Sequence, residues 1–133
     1  MKGEKLVGRL ATGIGMGTSF TQLDWAKEQF QERVGIAPFP GTVNIIVDDP
    51  DSMPVWVRLK RTDGIYMDNP NDGLHDCDAK CWHVSINDEI DGAIVFPLVD
   101  VYPPAQVEVI AAVGVRDAFE IEDGDTITLI LKG

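Results

Sequence analysis

A chain of 133 residues with 44% hydrophobic side chains holds enough apolar material for one core and too little for two, so a single domain over residues 1–133 is expected. Eleven basic against 22 acidic side chains leave a formal charge of −11, which repels a polyanionic backbone and excludes nucleic acid as the expected partner. No window is apolar over the length of a membrane span, the start MKGEKLVGRL lacks the apolar stretch of a signal peptide, and Cys77 and Cys81 are the only thiols, so no membrane association and a cytoplasmic setting are expected.

Taken in chain order, the first element is a strand over KLVGRLA, followed by a loop with Gly13, Gly15 and Gly17. TQLD then reads as a capping box with Thr21 as N-cap, and Leu23, Ala26, Phe30 and Val34 recur at helical spacing. Gly35 can end that helix, and Pro38 and Pro40 forbid its resumption. Strands are next expected over TVNIIVD and PVWVRLKR, both rich in Val and Ile. DGIYMDNPNDGLHDCDAK has many turn residues and little periodicity, which predicts an exposed loop. WHVSI, GAIVFP and VEVIAAV read as three more strands, VRDAF as a short helical turn, and DGD as a tight turn into a last strand, TITLILK. Seven short strands with one good helix among them predict a mainly β fold closed as a barrel.

Four stretches carry chemistry. The glycines after the first strand let backbone N–H groups approach an anion, with Thr18 and Ser19 adding hydroxyls, yet the P-loop lysine is missing and a plain turn explains the residues better by themselves. In GTVNI, Thr42 and Asn44 are two apart on a strand and share a face, with Val43, Ile45 and Val47 on the other. Two neutral oxygens there suit Mg²⁺ that arrives with phosphate, and an ordinary half-exposed strand suits them as well. Glu108 interrupts an apolar strand: buried, it is a candidate proton acceptor with a raised pKa, and alternation equally allows it to face solvent. HDCDAKCWH holds His75, Cys77, Cys81 and His83, all possible zinc ligands, but the spacing is poor and no metal is expected there. Trp25, Trp56 and Trp82 read as packing residues.

In this order, the glycine loop ahead of a helix, GTVNI, DGAIVFP, VEVIAAVGVRDAF and DGDTITLIL resemble the archaeal CTP-dependent riboflavin kinase family from Gly8 to Lys132, the middle loop being least similar. The resemblance implies a closed six-stranded cradle-loop barrel, in keeping with the strand-rich pattern, with one helix after the first strand and a short helical turn near the C-terminus. It implies that Gly13, Ile14, Gly15, Met16, Gly17 and Thr18 wrap CTP, that Val113, Gly114, Val115 and Arg116 contact it again, and that Thr42 and Asn44 hold Mg²⁺. Asp100 and Glu108 fall where the family contacts its flavin, and Glu108 and Asn44 would carry the catalytic roles. The implied reaction moves the γ-phosphoryl of CTP to the 5′-hydroxyl of riboflavin, giving FMN and CDP. Thr18 stands where the family has a basic residue and Asp100 where a threonine is usual. An alternative implied by these departures is a barrel that binds flavin or nucleotide as a sensor, or acts on another small alcohol.

Overall fold

A computed structural model describes residues 1–12, 24–68, 78–99 and 102–133. Its strands are β1 (Lys5–Ala11), β2 (Val43–Val47), β3 (Ile65–Met67), β4 (Ala79–Ile86), β5 (Ile90–Pro97), β6 (Gln106–Ala111) and β7 (Thr126–Leu131). The helices are α1 (Asp24–Gln29), continued by a π-type turn over Phe30–Val34, then α2 (Ser52–Lys60) and α3 (Val115–Phe119). Every strand pairing is antiparallel, in the order β3-β4-β5-β6-β2-β1-β7. The second half of β4 returns to β7, with Val84 opposite Leu131 and Ile86 opposite Leu129, which closes six strands into a barrel and leaves β3 as an extra strand on the first half of β4. The mainly β, closed six-stranded expectation therefore holds. Among the described residues no helix is long and apolar enough to cross a membrane.

Alternation sorts the side chains into two clusters. Leu6, Ile45, Val47, Val84, Ile86, Ile94, Val107, Val109, Ile127, Leu129 and Leu131 share the first, with Val55, Trp56 and Leu59 of α2 packed into it. The opposite faces of β4, β5 and β6 present Cys81, Val95 and Ile110 to Ala26, Phe30 and Val34 of α1 and its turn, and to Met67 of β3. β6 is thereby covered on both sides, so all six of its residues are buried. Gly35 ends the α1 turn in a left-handed conformation (φ +80°), the cap its sequence position predicts. The turn before β7 likewise forms, with Gly124 at φ +93°. The expected N-cap Thr21 lies outside the described residues.

Two expectations are corrected. PVWVRLKR is helix α2, not a strand: Ser52, Val55, Trp56 and Leu59 are its buried residues, a spacing of three and four that overrides the β preference of Val-Trp-Val. Pro54 is tolerated because it stands in the first turn, where backbone N–H groups lack intrahelical partners. Ser52 fixes the helix start, since its hydroxyl accepts from the Val7 amide at 2.8 Å and donates to Asp49 at 2.7 Å. The second correction concerns the expected loop after Asp63: Ile65–Met67 pairs with β4, and Met67 is fully buried. Trp56 and Trp82 are packing residues, edge-on to each other with centroids 6.1 Å apart.

Candidate active site

The antiparallel register lines up one row of side chains across the outer face of the barrel: Ala11 of β1, Asn44 of β2, Glu108 of β6, Val95 of β5 and Cys81 of β4. The strand period puts Asn44 on this face and Ile45 and Val47 in the core. Asn44 and Glu108 are direct cross-strand partners. Thr42, just before β2, donates its hydroxyl to Glu108 Oε1 at 3.3 Å, and Tyr102 donates to Oε2 at 2.9 Å. Four polar groups from two segments far apart in the chain thus meet.

Glu108 is only 9% exposed, which removes the solvent-facing alternative. Among the described residues no Lys or Arg forms an ion pair with it, so burial raises its pKa above the usual carboxylate range, while the Tyr102 and Thr42 hydroxyls draw it back. The same burial, with the neighbouring carboxylate, raises the pKa of Tyr102 and keeps its proton available for the bond.

A second group of residues converges on the adjacent end of β1. Arg116 Nη2 donates to the Ala11 carbonyl at 3.2 Å and to Asp123 at 2.6 Å, and Thr12 hydrogen-bonds the same carboxylate. Those two donors, Thr12 foremost, hold the Asp123 carboxyl below its ordinary range. Gly114 lies against Phe39, where an added Cβ would come within 3.3 Å of the ring, and the Phe39 amide donates to Ala111 at 2.8 Å. Val115 is buried and Val113 is exposed. The 113–116 segment therefore sits beside both the entry to β2 and the chain that leaves β1. Gly13, Ile14, Gly15, Met16, Gly17, Thr18 and Asp100 lie outside the described residues.

The oxygen set can be tested against a cation. Thr42 and Asn44 offer a hydroxyl and a carboxamide, both hard donors, and the Asn44 side chain makes no hydrogen bond to another described residue. Among the described residues no three or more His, Cys, Asp or Glu are grouped so as to hold a metal ion. The set fits Mg²⁺, which takes few protein ligands and completes its shell with phosphate and water. In the cysteine stretch, Cys81 is buried at 3.4 Å from the Met67 sulfur with its thiol pushed up to about 12 by burial, and His83 meets the Val34 carbonyl at 2.6 Å. His75 and Cys77 lie outside the described residues.

Sequence reasoning missed Tyr102 and Asp123. Their contacts cross loops, so no periodicity marks them; the only signal is an aromatic residue placed by two prolines, YPPAQVE, ahead of the strand with the odd carboxylate.

Residues 10–131 match the family model of the CTP-dependent riboflavin kinase domain, described as domain of unknown function DUF120. A riboflavin kinase of Pyrobaculum arsenaticum is 36% identical over 92% of this chain and 58% of its own length, and one of Methanosarcina barkeri is 32% identical over 96% and 56%. The chain thus spans a little over half the length of these relatives. A riboflavin kinase of Methanobrevibacter smithii is 31% identical over 94% of this chain and 98% of its own length. With nearly the whole chain covered by the family model and these relatives agreeing, the protein belongs to the CTP-dependent riboflavin kinase family.

Proposed function

We propose that the chain is a riboflavin kinase that transfers the γ-phosphoryl of CTP to the 5′-hydroxyl of riboflavin, giving FMN and CDP. The observation that carries this reading is the buried, hydroxyl-bonded Glu108 set opposite Asn44 and beside Thr42. The names of the relatives support it, including one that consists almost wholly of the matched region. Gly13, Ile14, Gly15, Met16, Gly17 and Thr18, with Val113, Gly114, Val115 and Arg116, hold the nucleotide; Asp100 and Glu108 hold the flavin. Because Arg116 is already paired with Asp123, backbone amides and a cation supply most of the positive potential for the phosphates on a chain of net charge −11.

Phosphoryl transfer needs placement and charge neutralisation more than covalent chemistry by the protein. Glu108 accepts the proton of the 5′-hydroxyl as that oxygen bonds to the γ-phosphorus and the bond to the bridging oxygen of CDP breaks. Burial makes this carboxylate a better base than an exposed one. Thr42 can serve both neighbours, because its single proton goes to Glu108 and its lone pairs stay free. Mg²⁺ at Thr42 and Asn44 would neutralise charge on the phosphates.

The test is purified protein with riboflavin, Mg²⁺ and either CTP or ATP, with the flavins separated by chromatography. FMN formed with CTP is expected. Quenched riboflavin fluorescence without FMN would replace the kinase by a flavin-binding barrel, and FMN with ATP alone would remove CTP as donor.

A further inference from the structure

Glu108 is gripped unequally by its two hydroxyl partners. The Tyr102 contact to Oε2 is 2.9 Å, whereas Thr42 stands 3.3 Å from Oε1, beyond the usual O–H···O range of about 2.5–3.0 Å. Tyr102 is itself held mainly through its ring, with one long contact at its hydroxyl. Its ring lies edge-on to Phe96 at 5.3 Å, and its hydroxyl receives Gln106 Nε2 at 3.4 Å. Phe96 is in turn edge-on to Trp56 of α2 at 5.7 Å, and Trp56 is 1% exposed. The hydroxyl that holds Oε2 thus stands on an aromatic stack rooted in the core, which leaves it little freedom to move.

We propose that Tyr102 is a positioning residue for Glu108: by pinning Oε2 it presents Oε1, which carries only the longer Thr42 contact and keeps a lone pair free, as the oxygen that meets the acceptor hydroxyl. What Oε1 meets rests on the kinase reading above; the anchoring of Glu108 does not. Tyr102 has one proton to give and Oε2 takes it, so the working oxygen is chosen by the fold before substrate arrives.

Tyr102→Phe removes the hydroxyl and keeps the ring against Phe96. It is expected to lower kcat for FMN formation about tenfold, the loss of one hydrogen bond to a charged group, with KM for CTP unchanged. In a Glu108→Gln background the same substitution should leave the residual rate unchanged, because no base remains to be aimed. An equal loss in both backgrounds would overturn the proposal. A second arm needs no turnover: thermal unfolding of wild type, Tyr102→Phe, Glu108→Ala and the double variant. Tyr102→Phe should lower Tm by about 4 °C more in the wild-type background than beside Glu108→Ala. Additive shifts would overturn the anchoring whatever the activity. A wild type that makes no FMN while unfolding stays coupled would strike the kinase reading and keep Tyr102 as the anchor of Glu108.

Discussion

At the scale of single residues, the site depends on polar groups that burial makes expensive and that neighbours render tolerable. Asn44 is the exception, a half-buried carboxamide without a hydrogen bond to another described residue, set opposite Glu108. If its oxygen serves a cation and not the flavin, Asn44→Ala will lower kcat at least tenfold while riboflavin binding, read by fluorescence quenching, changes about twofold or less. Equal losses of both would remove it from that role. Cys81 gives a pH dependence with a definite sign. Its thiol is held neutral up to about 12 against 9.0 in the unfolded chain, so the stabilisation is complete below pH 9.0 and lost as pH rises toward 12. The advantage of wild type over Cys81→Ala in urea should therefore narrow between about pH 8 and about pH 10.5, and a constant gap would contradict the assignment. The shared face of Thr42 and Asn44 was legible from spacing, because a strand alternates with a period of two. The orientation of Glu108 was not, because alternation gives only parity, and β6 is covered on both faces so that either parity ends in burial.

At the scale of elements, close approach between strands accounts for Gly8, and likewise for Gly92, where an added Cβ would lie 2.6 Å from the Ile110 carbonyl oxygen. A Cβ on Gly8 would lie 2.4 Å from the Ile46 carbonyl oxygen and 2.7 Å from the Ile45 side chain, where β1 crosses β2. Since the obstacle is backbone, Gly8→Ala should cost about 3 kcal/mol in chemical denaturation. A change below about 0.5 kcal/mol, the range of neutral surface substitutions, would show that the two strands are not so close. Most strands were readable as Val- and Ile-rich runs between turn residues, and the short helical turn at VRDAF was readable as well. α2 was not, because Val-Trp-Val favours a strand locally and the helical spacing shows only when Ser52 is counted among the buried positions. β3 was hidden for a related reason. Three residues are too short a run to show alternation, and it is the partner strand β4 that makes Ile65–Met67 extended.

At the scale of the molecule, the pairing of β2 with both β1 and β6 is what brings the site together. Around the barrel, β1, β2 and β6 are neighbours although β2 and β6 are separated by three other strands in the chain. The end of β1, the entry to β2, Glu108 and the 113–116 segment consequently share one region, with Arg116 tying the last of these to the first. The family resemblance in the sequence named residues from these segments, and the structure sets the described Thr42, Asn44, Glu108 and Arg116 within this region. The most direct measurement is a crystal structure with riboflavin, Mg²⁺ and a non-hydrolysable CTP analogue. The expected result is a triphosphate lying between the 113–116 segment and the oxygens of Thr42 and Asn44, with the ribityl 5′-oxygen about 3 Å from Glu108. Phosphates bound elsewhere, or a flavin whose 5′-oxygen points away from Glu108, would contradict the assignment.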